Sequence, residues 1–198
     1  MTETAAPPSG RSALLVALGI LCSRVAGLVR QRVFAHYFGL GREADAFLAA
    51  FRIPNVLQNL FGEGALSASF IPVYASLVSS GERERADRVA GAVASLLALV
   101  VSAIVLAGVV ATPALIGVVA PGFSGETRQL TIQIVRVLFP GAGLLVLSAW
   151  CLGVLNSHHR FFISYSAPVV WNAAMIATLL FFGGQTALPR LAVILAWG

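Results

Sequence analysis

Five ionisable residues stand in strongly apolar sequence within the first third of the chain, and they are the residues best suited to bind a charged ligand. They are Arg24, Arg30, Asp45, Arg52 and Glu63. An arginine at the centre of a membrane costs about 2.5–3.5 kcal/mol on insertion scales, so it is retained where it faces water, pairs with an acid or binds an anion. The planar guanidinium donates two parallel hydrogen bonds to one phosphate. Several arginines around one cavity therefore suggest an anionic, phosphate-bearing amphiphile as the ligand.

Helical spacing separates the arginines of the first apolar run. Arg24 and Arg30 are six residues apart, which is about 9 Å along a helix and a net rotation of about 240°. We therefore expect one of them to face the centre of a cavity and the other its flank, unless the helix bends at Gly27. Arg32 has a simpler interpretation as an interface anchor, because a long side chain at the end of a span reaches the membrane surface.

The second apolar run leaves alternatives open. Arg52 and Glu63 could each belong to an internal ion pair that holds helices together. Eleven residues are about three helical turns, so each of the two would need a partner elsewhere. Asp45 could cap the second helix at its N-terminus, where the helix dipole favours an acid, or it could belong to the site.

Patterns for catalysis and for metal binding are missing from the sequence. His158 and His159 stand beside Arg160 with no acid nearby, which disfavours a metal site. A phosphate-binding loop of the ATPase kind requires lysine, and the chain has none. Cys22 and Cys151 are predicted to be small buried residues rather than a disulfide or metal ligands. The sequence thus predicts neither an enzyme nor a cofactor.

The composition is that of a membrane protein. The chain is 58% hydrophobic and 11% charged, whereas a soluble domain carries about 25% charged residues. Its apolar surface must therefore face lipid. The net charge of +5 does not indicate a nucleic-acid partner, because the arginines are scattered among apolar runs instead of lying on one polar face.

The elements that must position these residues are predicted to be membrane-spanning helices of an all-α bundle. Residues 1–10 form a short disordered tail, and residues 11–198 form the transmembrane part. A span needs about 20 mostly apolar residues, which gives five full spans and the start of a sixth that looks truncated. Their approximate limits are 12–38, 44–78, 89–110, 127–155, 161–182 and 188–198. We expect a water-exposed loop at 79–88 and a connection through Pro113 and the turn at 120–123.

The distribution of arginine sets the expected orientation. With the N-terminus inside, the cytoplasmic side holds Arg11, Arg83, Arg85, Arg88 and Arg160, and the outer side holds Arg42, Arg128 and Arg190. Cytoplasmic loops carry an excess of basic residues. The N-terminus is therefore predicted to lie in the cytoplasm.

Several motifs resemble those of the MurJ (MviN) lipid II flippases in the MOP exporter superfamily. They occur in the family's order across nearly the whole chain, beginning with the Ser23–Arg30 string SRVAGLVR. The others are Ala44–Phe47, Ala50–Asn55, Phe61–Pro72, Ala120–Phe123, Leu155–Phe161 and Ala167–Pro168.

The resemblance implies the N-terminal lobe of a MATE-like transporter in the bacterial inner membrane, with a C-terminal lobe beyond this chain. Such proteins move the undecaprenyl-pyrophosphate-linked peptidoglycan precursor, lipid II, to the outer leaflet by alternating access. The resemblance implies that Arg24 and Arg30 bind the pyrophosphate. It also implies that the acidic residues Asp45 and Glu63 are important for function. Membrane lipids and the cell-wall synthesis machinery are the other partners it implies.

This sequence departs from the family pattern at two places. Many relatives have an arginine pair where it has Gln58 and Asn59, and often an acid where it has Gln31. Arg52 matches a basic position in the family and is a hypothetical substitute for the missing charge.

Two other functions fit a membrane bundle. An exporter of cationic drugs should carry acids in this lobe, but the apolar runs hold more arginine than acid. An exporter of other lipid-linked saccharides stays open as an alternative. A non-transporting scaffold of the same superfamily should lack Arg24 and Arg30, and both are present.

Overall fold

The computed structural model describes residues 10–157 and 161–197, and all regular structure in these ranges is helical. The described residues exclude 1–9 of the predicted tail 1–10, and also His158, His159 and Arg160. Gly10, the last residue of that predicted tail, is the first residue of a helix. The elements are α1 (Gly10–Phe38), α2 (Arg42–Gln58), a π-helical segment (Asn59–Phe70), α3 (Ile71–Ser79), α4 (Arg83–Val119), α5 (Gly125–Ser157), α6 (Phe161–Phe182) and α7 (Leu188–Trp197). The all-α fold predicted from the sequence is confirmed.

The second apolar run forms one uninterrupted helical rod. The residues that join its parts, from Gln58 to Asn59 and from Phe70 to Ile71, all keep right-handed helical backbone angles. The glycines Gly62 and Gly64 fall in the π-helical segment, where the helix is wider but not interrupted. Short π-helical stretches inside α-helices are often found at functional sites.

Helix α4 is longer at both ends than the predicted span 89–110. The prediction of a loop over 79–88 was wrong beyond Glu82, because α4 already begins at Arg83. The charged residues of its first turns are compatible with a helix and contact one another locally. Arg85 forms an ion pair with Glu82 at 3.1 Å, and the Nε of Arg88 donates to the carbonyl of Glu84. These charged turns are exposed, so water rather than a protein core solvates the start of the helix.

The predicted connection at Pro113 was also wrong, because this proline lies inside α4. A proline within a helix removes one backbone hydrogen bond. Here Arg128 of α5 donates from Nη2 to the carbonyl of Pro113 at 2.9 Å. Arg128 therefore joins α4 to α5 and has a structural role at this level of the bundle.

The helices pack in pairs that are distant in sequence. Helix α1 lies against α6, and α2 and α4 lie on different sides of α5. Both α4 and α5 are long and apolar enough to cross a membrane, by length and composition. Many of their large apolar side chains face outward, as a lipid-facing surface requires. Cys22 and Cys151 are free and exposed, so their predicted burial was wrong; each lies on an outer helix face.

Helices α4 and α5 approach each other closely because glycines stand at their contact. Gly108 is buried, and a Cβ built there would collide with the ring of Phe139 on α5. A Cβ at Gly143 would meet Val105 in the same interface, at 2.9 Å. The two helices can therefore approach only where glycine presents bare backbone.

This interface predicts the effect of a single methyl group. Gly108→Ala should lower the unfolding midpoint of the detergent-solubilised protein, since overpacking costs about 1–3 kcal/mol. Thermal unfolding followed by circular dichroism measures it. Gly117→Ala, on the same helix with open space around its Cβ, is the matched control and should be neutral or stabilising. Equal midpoints for the two variants would contradict the proposed contact.

Candidate functional site

A cavity of about 330 Å³ opens between α1, α2 and α6, and one arginine lies in its wall. We call it the Arg30 cavity; its lining residues are Arg30, Gln31, Phe34, Phe47, Leu48, Phe51 and Met175. Arg30 carries the only formal charge among these side chains. The cavity is therefore an apolar hollow with one fixed positive charge.

Arg30 is held by two side chains of α6. Its Nη1 lies 3.7 Å from the sulfur of Met175, and its guanidinium carbon stands over the ring of Trp171 at 5.7 Å from the centroid. No carboxylate pairs with it among the side chains that the structure describes. A thioether is a weak acceptor, so most of the guanidinium N–H groups have no strong partner.

A row of stacked aromatic rings forms the rest of the wall. Phe34 of α1 contacts Phe47 of α2 at 5.3 Å between ring centroids, and Phe47 contacts Phe51 at 6.0 Å. Phe51 then stacks on Trp171 at 5.7 Å with only 15° between the ring planes. The row links α1 through α2 to α6, and its last ring is the one beneath Arg30.

Arg24 is exposed on α1 and does not lie in the cavity wall. The exposed residues Arg24, Leu28 and Gln31 follow the i, i+4, i+7 spacing of one helix face, and Gln31 lines the Arg30 cavity. Arg24 is thus two turns from the cavity along that face. The two arginines therefore lie on different faces of α1, and their roles as ligands stay predictions.

Arg52 and Asp45 share an exposed face of α2. Asp45, Leu48 and Arg52 are all exposed at helical spacing, and Leu48 lines the Arg30 cavity. Asp45 does not cap the helix: the cap residue is Gly41, and Asp45 lies in the first turn, where an acid suits the dipole. Both residues are therefore adjacent to the cavity but outside its wall.

The remaining predicted site residue is Glu63, in the π-helical segment. Its side chain is outside the described part of the structure, so its place at the site stays a prediction. Arg52 makes no ion pair with any described side chain. Arg32 is exposed on α1, as an interface anchor would be.

Two residues were missed by the sequence reasoning. Trp171 reaches Arg30 from a helix 141 residues further along the chain, and no local pattern indicates that contact. Arg136 lies within the fourth apolar run but is exposed on the same face of α5 as Pro140 and Leu144, away from the Arg30 cavity. The signal that could have found it is the one used for Arg24 and Arg30, a charge within an apolar run.

A smaller cavity of about 190 Å³ lies on the other side of the Phe51–Trp171 pair. Asn55 and Gln58 line it from α2, together with Trp197 of α7. The amide of Gln58 stands where many relatives were expected to carry a positive charge. Here that position adds polarity to the wall without adding charge.

A family model described as "Lipid II flippase MurJ" matches residues 34–198. The chain belongs to this family. It is 37% identical over 83% of its length to a probable lipid II flippase MurJ of Rhizobium tropici, and 33% identical over 94% of its length to the lipid II flippase MurJ of Burkholderia cenocepacia.

The second of these matches reaches the N-terminal arginines. It covers so much of the chain that Arg24 and Arg30 must lie within the matched region, although both precede the range of the family model. The chain covers 32% of the Rhizobium protein and 36% of the Burkholderia protein, so it spans about a third of the length of these relatives.

The fold agrees with a solved structure of the same family. A lipid II flippase MurJ in an inward closed conformation superposes with a TM-score of 0.75 at 27% identity. The superposition covers 93% of this chain and 39% of that one. The helix arrangement around the Arg30 cavity is therefore one that this family uses.

The exposed face of α2 that carries Leu48 and the exposed face of α5 that carries Leu144 should differ in their contact with water. In a background with Cys22→Ser and Cys151→Ser, Leu48→Cys should react with a charged, membrane-impermeant maleimide because its face borders the cavity. Leu144→Cys is the matched control on the outward face of α5; both leucines are more than half exposed in the bundle, at 54% and 66%. It should stay unlabelled, since a thiol surrounded by lipid does not ionise. Labelling measured in membrane vesicles at equal rates for both would contradict the assignment.

Proposed function

We propose that these helices form the N-terminal lobe of a lipid II flippase in the bacterial inner membrane. The substrate is the undecaprenyl-pyrophosphate-linked peptidoglycan precursor, carried from the inner to the outer leaflet by alternating access. The observation that carries the proposal is the half-buried Arg30, which has a cavity before it and no carboxylate beside it among the described side chains. Family membership supports the identity of the substrate.

The substrate's charge suits this site. A pyrophosphate offers several anionic oxygens, and arginine binds them in a bidentate manner. Arg30 provides the buried donor, while Arg24 and Arg52 stand on exposed faces of α1 and α2 that border the same cavity. In this proposal the polyprenyl tail stays in the bilayer, where its apolar length needs no protein groove.

Orientation and partners complete the proposal. The cluster of Arg83, Arg85 and Arg88 lies at the start of α4 and is exposed. Basic residues of this kind favour the cytoplasmic side, so the N-terminus also lies there. The rest of the transport cavity comes from a second lobe, and the cell-wall synthesis machinery is a proposed partner that takes up the product.

Complementation tests the function. The gene that encodes this chain, expressed in full, should restore growth to a bacterium depleted of its own lipid II flippase. Immunoblotting of membranes controls for insertion. Failure to grow despite normal amounts of inserted protein would overturn the proposal.

Charge removal tests the site. Arg30→Gln and Arg24→Gln should each weaken binding of undecaprenyl pyrophosphate, because one charged hydrogen bond is worth about 1.5–3 kcal/mol, roughly ten- to a hundred-fold in affinity. Binding is measured in nanodiscs, with undecaprenol as the uncharged reference ligand. Arg136→Gln removes the same charge from an exposed residue that does not line the Arg30 cavity, and it should change nothing. If all three variants bind alike, these arginines are not the ligands.

A further inference from the structure

We propose that Trp171 is the positioning residue for Arg30: its indole face, braced by Phe51, holds the guanidinium toward the cavity without neutralising it. The inference rests on the proposed function of the Arg30 cavity and names a residue outside the sequence motifs that indicated that function.

The first step is the charge balance around Arg30. Arginines inside membranes are normally paired with acids or with backbone carbonyls. Arg30 has neither among the described residues, and Gln31, the other polar lining residue, is neutral. A carboxylate in this place would compete with a phosphate for the same donors. A ring does not compete, because it attracts the cation through its face and carries no net charge.

The second step is geometry. The guanidinium carbon lies over the indole at 5.7 Å from the centroid, inside the range in which a cation and a ring attract each other. A cation over a ring face keeps its N–H groups available, because the ring attracts the positive charge as a whole and does not accept from individual donors as a carboxylate does. Among the described residues, the hydrogen-bond partner of the guanidinium is the sulfur of Met175, which contacts Nη1. In this proposal the remaining N–H groups donate to the incoming anion.

The third step is rigidity. Trp171 is itself fixed, because Phe51 stacks on it nearly parallel and Phe51 belongs to the aromatic row that crosses from α1 to α2. Met175 is 4% exposed and one turn further along α6. Arginine loses much side-chain entropy when it is ordered. A guanidinium held in place before the ligand arrives has already lost that freedom, which favours binding.

The same pair also separates two spaces. Phe51 and Trp171 line the smaller cavity near Asn55 and Gln58, and Phe51 also lines the Arg30 cavity. Shortening Trp171 would join the two and let the Arg30 side chain swing toward the amide groups. Trp171 therefore sets the direction of the charge and, beside Phe51, forms part of the wall of the smaller cavity.

A double-mutant cycle tests the inference. Trp171→Leu should weaken undecaprenyl pyrophosphate binding roughly ten-fold in the whole protein in nanodiscs, as loss of a desolvated cation–π contact predicts. Trp171→Phe should retain most of the affinity because it keeps a ring. In an Arg30→Gln background, Trp171→Leu should have no further effect. Trp197→Leu, which removes a tryptophan from the smaller cavity but not from Arg30, is the matched control.

A second readout needs no substrate. Phenylglyoxal modifies accessible guanidinium groups, and peptide mass spectrometry reports the modification of Arg30 alone. Trp171→Leu should raise the rate at Arg30 several-fold and leave Arg136 unchanged. If Trp171→Leu alters neither this rate nor the affinity, or lowers the affinity equally with and without Arg30, the inference fails. If the rate rises but the unmodified protein does not prefer undecaprenyl pyrophosphate to undecaprenol, the positioning role stands and the proposed function falls.

Discussion

Keeping Arg30 charged inside an apolar bundle is the constraint on which this structure depends. Removing a guanidinium from water costs free energy, and an internal acid would offset that cost only by neutralising the positive charge. Among the described side chains the ion pair is Glu82 with Arg85, far out on the exposed start of α4. At Arg30 the structure uses a ring and a thioether instead. Both are polarisable and apolar, so they suit the bundle and leave the positive charge in place.

The packing of the helices follows from this requirement. Trp171 and Met175 can reach Arg30 only because α6 lies along α1 in the same direction. Their C-terminal ends meet closely where Gly183 presents bare backbone to the ring of Tyr37. Helix α2 then closes the cavity with Phe47 and Phe51. The α4–α5 pair, joined through Gly108 and Arg128, lies behind α2 and braces it. Glycine is needed at these places because the backbones approach within the reach of one methyl group.

Much of the fold followed from composition and hydropathy. The limits of α6 and α7 agree with the apolar runs, since turn-forming residues such as Gly183 and Gly184 bound them. The limits of α4 did not, because hydropathy marks the apolar part of a helix and not the charged turns that continue it into water. Pro113 was misread for a related reason. A proline favours the end of a helix because it removes one backbone N–H donor, but it is also tolerated inside a long helix, as it is in α4.

The candidate site, like the fold, could be predicted from the sequence only in part. Misplaced charge suggested Arg24, Arg30 and Arg52 as candidates from the sequence alone, and of these three Arg30 lies in the wall of the described cavity. The partners of Arg30 could not be predicted, since Trp171 and Met175 stand in an ordinary apolar run. Burial of Cys22 and Cys151 was wrong because an apolar residue in a membrane helix faces lipid as readily as protein. Inside a membrane, hydrophobicity no longer separates the core from the surface.

A site with one fixed guanidinium has an energetic consequence for transport. To convert a conformational balance from 1:99 to 99:1, a ligand must bind the favoured state about 5.5 kcal/mol more tightly. One charged hydrogen bond supplies only about 1.5–3 kcal/mol, so Arg30 alone cannot drive closure. It is also already held in this conformation and would contribute to capture in either state. The differential affinity must then come from arginines that reach the pyrophosphate in one state only. Arg24 and Arg52 stand on faces of α1 and α2 that border the cavity without lining it. Under the proposed function, Arg30 captures the substrate, and the two outer arginines supply the difference that moves the helices.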